Sequence, residues 1–237
     1  AVQRRAGVSE RRYGDDVIEP IIESNADRDF TRDEEAVRPT WEFTPTFLIF
    51  ADVALNQRLY NIPAFSDGII RSSKGERYRL GVSFGNTGEY LRGEVSLGYG
   101  RQTPDNHELQ VIDGLLVDAN LTWRFSLLTS LLLTASTDVA ETTTFDSGGV
   151  MQRQYGAELR HNFSARLIGS AGLSLFTRDY VGAGLHEEQF SAATGLEYYM
   201  NRNVVLFGRY EHTEFYTSSP DGNWNGEEVQ VGVRLRQ

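Results

Sequence analysis

The chain has 237 residues, a net charge of −10 and no cysteine, so a disulfide framework, a thiolate metal site and a thiol nucleophile are all excluded. The acidic balance argues against nucleic acid as a partner, because phosphate binding needs a basic surface. Mean hydropathy is low and no run approaches the roughly 18 apolar residues of a spanning helix, but a barrel wall needs only every second residue to be apolar.

In chain order, residues 1–45 are the hardest to place. Residues 1–13 alternate poorly and count as a first strand mainly because barrel closure favours an even number. The acidic segment from Asp15 to Glu35, with Asp27, Asp29, Asp33, Glu34 and Glu35 close together, reads as a solvated loop. A sharper reading is divalent-cation bridging to anionic lipopolysaccharide, but no ligand spacing supports a site and no metal residue is assigned. Val37, Trp41 and Phe43 suggest a strand in which Pro39, having no N–H for the ladder, marks a bulge or an irregular end.

From residue 48 onward the two-residue period of a strand is sustained. Ile49, Ala51, Val53 and Leu55 oppose Asp52, Asn56 and Arg58; Tyr78, Leu80, Val82 and Phe84 oppose Arg77 and Arg79; Leu91, Val95, Leu97 and Tyr99 oppose Arg92, Glu94 and Ser96. The pattern continues with Val117, Ala119 and Leu121 against Asp118; Leu131, Leu133, Ala135 and Val139 against Asp138; and Tyr155, Ala157 and Leu159 against Glu158 and Arg160. It ends with Ala171, Leu173 and Leu175 against Arg178; Ala192, Leu196 and Tyr198 against Glu197; Leu206 and Tyr210 against Arg209 and Glu211; and Val229, Val231, Val233 and Leu235 against Glu228 and Arg234. Short turns reached through aromatics (Trp41, Phe43, Phe84, Trp123, Phe125, Phe163 and Tyr199) recur about every 40 residues. They alternate with longer Gly/Asp/Ser/Asn-rich loops near 14–27, 61–75, 102–109, 141–150, 181–188 and 217–226.

A soluble β-sandwich or lipocalin-like barrel would also alternate. Strands of about ten or more residues, against a usual five or six, favour the membrane. So do the persistent short/long asymmetry of connections and a polar face mixing opposite charges with Gly and Ser. The expected fold is a single all-β domain over 1–237: a transmembrane, antiparallel, up-and-down β-barrel of about 12 strands in a bacterial outer membrane. The seven turn aromatics are expected to form the periplasmic girdle, and Tyr60, Tyr99, Tyr180 and Tyr216 the opposite one.

On this fold the polar face lines the lumen: Asp52, Arg58, Arg77, Arg79, Arg92, Glu94, Asp118, Asp138, Glu158, Arg160, Arg178, Glu197, Arg209, Glu211, Glu228 and Arg234. Such groups must be paired or wet. They read either as a bracing salt-bridge ladder or as a polar conduit. His107 and His186 fall in loops, His161 and His212 near interfaces. His161 and Ser164 fall on opposite faces, so no catalytic residues, enzyme activity or cofactor are expected.

Several segments resemble the outer-membrane β-barrel porin family of proteobacteria: Arg11-Arg12-Tyr13 before an Asp-rich loop, Asn56-Gln57-Arg58-Leu59-Tyr60 leading to Ser66-Asp67-Gly68, Gly93-Glu94-Val95-Ser96-Leu97-Gly98-Tyr99, the run from Asn201 to Glu211, and Val231-Gly232-Val233-Arg234-Leu235. The resemblance implies an outer-membrane protein with a link to exopolysaccharide export, and the leading expectation for the chain is passage of a polar solute. Its expected partners are outer-membrane lipid and lipopolysaccharide, a polysaccharide or other polar solute, and periplasmic or envelope-complex proteins. The alternative is a non-conducting barrel acting as an anchor or assembly subunit. Family members commonly extend further at the N-terminus, and Leu235-Arg236-Gln237 lacks the terminal aromatic of usual barrel-assembly signals.

Overall fold

The computed structural model describes residues 2–11, 16–18, 21–23, 26–65, 67–85, 90–140, 142, 144 and 147–235. Parts of the expectations above fall on Arg12, Tyr13, Ser66, the turn 86–89 and residues 236–237, which lie outside the described residues. The strands in chain order are β1 (Val2–Arg11), β2 (Asp16–Ile18), β3 (Ile21–Glu23), β4 (Phe30–Thr44), β5 (Phe47–Tyr60), β6 (Ser73–Phe84), β7 (Leu91–Pro104), β8 (Ile112–Arg124), β9 (Thr129–Ala140), β10 (Gly149–Asn162), β11 (Leu167–Val181), β12 (Leu185–Tyr199), β13 (Val204–Thr217) and β14 (Trp224–Leu235). β2 and β3 form a small hairpin of their own. The other twelve make one antiparallel up-and-down sheet in which neighbours in sequence are neighbours in space. Among the described residues β1 and β14 are its two edges.

One face of this sheet is aliphatic and exposed: Leu80 is 67% exposed and Val231 83%, and Leu55, Leu97, Leu173, Leu196, Val229 and Val233 repeat the pattern. So continuous an apolar surface is what a strand shows to lipid. On β5 it runs from Phe47 to Leu55, about the 9–11 residues of a tilted membrane strand. The other face carries ions whose contacts skip strands, Arg38 of β4 to Glu94 of β7 and Arg160 of β10 to Glu197 of β12, and it is therefore the concave interior. Arg58 of β5 reaches furthest, donating to the Val139 carbonyl of β9 at 2.6 Å.

Several expectations are corrected. The acidic segment is not all loop: Asp33, Glu34 and Glu35 lie in β4, with Glu34 paired inward and its neighbours on the outer face, while Asp27 is buried and accepts the Phe65 amide at 2.9 Å. β4 runs through Pro39. Its ladder to β5 lapses between Val37↔Val53 and Thr40↔Phe50 and resumes in the same register, and the irregularity lies at Glu42–Thr44. Strands also reach into expected loops: 102–104 belong to β7, 185–188 to β12 and 224–226 to β14. Above the lipid both faces of a strand meet water, so the alternation that marks it in sequence disappears there.

Val139 is not lipid-facing. The β8–β9 ladder stops at Ala119↔Ala135. Beyond it β9 tucks against the inner side of β8, so that Val139 and Met151 pack on Ile112 and the Thr137 hydroxyl donates to the Val117 carbonyl at 3.3 Å.

Candidate solute-binding lumen

The interior differs between the two halves of the sheet. Across β4–β9 it is filled by ions. Arg79 lies 2.9 Å from Asp118, and Arg77 is 3.4 Å from Glu34 and 3.8 Å from Asp52. Glu34 also meets Arg32 and, at 3.8 Å, Arg5 of β1. Asp52 and Arg58 are buried, and Asp138 accepts the Val139 amide at 2.9 Å. Glycines make the room: a Cβ at Gly98 would stand 2.6 Å from the Arg79 stem, and one at Gly81 2.2 Å from the Phe50 ring. Phe50 is buried and carries the Arg38 guanidinium on its face at 3.6 Å. Arg92 sits apart at the turn end, exposed beside Glu94.

Across β10–β14 the inner wall is shallow. Its register makes successive rows across the strands. Nearest the loop end, Gln154, Phe176, Gln189, Phe215 and Trp224 are each directly opposite the next. Then come Gly156, Ser174, Ser191, Thr213 and Gly226, followed by Glu158, Gly172, Ala193, Glu211 and Glu228, and then Arg160, Ser170, Gly195, Arg209 and Gln230. Ser191 and Thr213 share a hydrogen bond at 3.0 Å. A cavity of about 190 Å³ lies over the second and third rows, bounded by Gln154, Glu158, Arg209 and Glu211.

The remaining charges pair along this wall. Glu197 meets Arg160 at 3.1 Å and Arg234 at 3.3 Å, Arg209 meets Glu211 at 2.9 Å, and Arg178 meets Glu187 at 3.1 Å. Glu228 accepts from Gln230 at 2.6 Å.

At the turn end Trp41, Phe43, Trp123, Phe125 and Phe163 are exposed on the outer face, with the Phe47 ring in contact with those of Phe43 and Phe84. Tyr199 departs from the girdle expected of it. By the two-residue period Tyr198 is the outward ring, and the Tyr199 hydroxyl donates inward to Glu197 at 3.1 Å. Tyr60 and Tyr180 also turn inward, stacking on Phe30 and donating to Glu187 at 3.2 Å. At the loop end Tyr99 and Tyr216 lie on the outer face and donate to Asp113 and Glu214. His161 bonds Thr129 at 2.8 Å and abuts Phe163, while His186 meets Asp179 at 2.5 Å and His212 meets Glu214 at 3.4 Å. The Ser164 hydroxyl accepts the Leu167 amide of its own turn at 3.0 Å.

The loops above β4–β10 hold a site that strand periodicity cannot reveal. Asp67 and Arg71 form a 2.5 Å ion pair whose side chains are each 4% exposed. Arg71 also donates to the Ser147 and Thr144 carbonyls, both at 3.2 Å, latching the 61–72 connection to the 141–148 connection. The hydrogen bond from Arg71 holds the Asp67 carboxyl below the usual aspartate range.

Twelve long antiparallel strands with an aliphatic exterior, an ionic interior and aromatics at the turn end define a transmembrane β-barrel. The family model described as Putative beta-barrel porin 2 matches residues 1–237, and the chain belongs to that family. It is a porin-like protein of the outer-membrane type. No curated protein matches it.

Proposed function

We propose that this barrel passes a polar solute across the outer membrane, and that the solute is a polysaccharide under export. The observation that carries the reading is the shallow inner wall of β10–β14, where one row is entirely glycine, serine and threonine and the next two set Gly172, Ala193, Ser170 and Gly195 between their charged residues, against the ions that fill β4–β9. A path along this wall is eccentric, with the ionic half serving as its brace. Polysaccharide as cargo rests on the family resemblance, as do lipopolysaccharide around the outer rim and periplasmic or envelope-complex proteins at the turn end. A second reading, a closed barrel used as an anchor, draws on Arg58 spanning from β5 to β9.

Planar-bilayer recording separates the two. The pore reading expects stepwise conductance, and a non-conducting barrel contradicts it. Neutralising Arg77, Arg79 and Arg92 together would confuse two effects, because Arg77 and Arg79 are locked in ion pairs. Arg92→Gln alone is expected to shift selectivity toward cations by removing an exposed positive charge at the turn-end mouth. An unchanged reversal potential under a salt gradient would place Arg92 off the path.

A further inference from the structure

The row nearest the loop end is chemically unlike the rest of the inner wall. Gln154, Phe176, Gln189, Phe215 and Trp224 stand directly opposite one another on five successive strands, so side-chain amides alternate with rings. The row lies at the mouth, where the outer face of β12–β14 changes from Phe190, Tyr210 and Val229 to Glu188, Glu214 and Glu227. Phe215 and Trp224 stack at 5.6 Å and 17°, and Trp224 is 51% exposed. Among the described residues neither glutamine amide is hydrogen-bonded. Rings placed only for packing would be covered and amides placed only for structure would be satisfied; here Phe176 and Phe215 are half-buried, with the Arg178 guanidinium over one face of Phe176 at 4.5 Å, while Gln154 and Trp224 are exposed, so the row is open to the lumen in part.

We infer that this row is a binding track for an uncharged hexopyranose chain. The C–H faces of a sugar lie on Phe176 and on the Phe215–Trp224 stack, and each glutamine offers a donor and an acceptor to ring hydroxyls. Phe176 and Phe215 are two strands apart, about 9.6 Å, within the reach of an extended disaccharide. The row itself holds no ion, the next one inward is hydroxyl and glycine, and on the outward side the Arg178 that lies over Phe176 is paired with Glu187 at 3.1 Å, so a neutral sugar fits the row better than a charged one. The inference deepens the solute-passage reading and rests on the inner wall of β10–β14 being the solute path.

The test uses the purified full chain with Trp41→Phe and Trp123→Phe, leaving Trp224 as its sole tryptophan. Maltohexaose, cellohexaose and the N-acetylglucosamine hexamer are titrated while its fluorescence is followed, with hexagalacturonate as the charged comparator. A saturable shift with a neutral hexamer is expected, weakened at least tenfold by Phe215→Ala and also by the more conservative Phe176→Leu, with the β circular dichroism unchanged. The absence of saturable binding by all three neutral sugars overturns the track, as does tighter binding of hexagalacturonate or a shift indifferent to both variants. Conductance without sugar binding overturns the track and leaves the pore reading; sugar binding without conductance supports the track and overturns the pore reading.

Discussion

Arg79→Ala is expected to destabilise the barrel by about 3 kcal/mol, measured as denaturant unfolding in detergent or vesicles. The figure takes the low end for an ion pair broken on one side, because Asp118 is about one-third exposed. The loss comes less from the attraction removed than from leaving the Asp118 carboxylate inside the barrel without its nearest cation. A second loss is steric, since the Arg79 stem fills the space above Gly98. The Arg79→Ala/Asp118→Asn double variant therefore recovers part of the loss, a non-additivity characteristic of contacting charges. If the two changes add, or if Arg79→Ala unfolds like the parent protein, the ionic half is not a brace.

The second large effect is expected in the loops. Arg71→Ala removes the partner of Asp67 and both bonds to the 141–148 connection. Local opening of the two connections then becomes easier by about 3 kcal/mol, and proteolysis there accelerates on the order of a hundredfold, because cleavage follows the open population. The pH dependence has a definite sign. The Asp67 pKa is lowered in the folded protein, so its contribution is full above the unfolded value of about 4 and is lost as pH falls through the depressed folded value. Acid should loosen the latch of the parent protein, while Asp67→Asn should be looser at neutral pH and lack this acid transition. A cleavage rate at 61–72 unaffected by Arg71→Ala would show that the two connections are held by something else.

The register of the membrane-spanning strands was legible because lipid imposes a period of two. Leu80 beside Arg79 and Leu196 beside Glu197 mark the two faces by chemistry alone. Above the lipid that constraint ends. The arm containing His186 and Glu187 is polar on both faces and reads as loop, although it is strand paired with Asp179 and Arg178. Tyr199 was misplaced because an aromatic beside a turn suggests an interface, whereas the parity of Glu197 assigns that role to Tyr198.

The same habit hid the mouth row. Phe176, Phe215 and Trp224 invite assignment to lipid, but counting by two from Arg178, Glu211 and Glu228 puts all three on the polar face. The inward slip of β9 against β8, which buries Val139, depends on a lapse in pairing between two strands and has no signature in either one. Arg71 lies in a connection, where there is no period against which to notice it.

The two faces of each strand are expected to see different media, lipid outside and water inside. The absence of cysteine makes this directly testable on β13, substituting cysteine singly at Leu206, Phe207, Arg209, Tyr210, Glu211 and Thr213 and measuring labelling by a membrane-impermeant thiol reagent in reconstituted vesicles. Alternation is expected: 207, 209, 211 and 213 react, while 206 and 210 react only with a lipid-soluble reagent. Equal aqueous labelling at all six positions would contradict it.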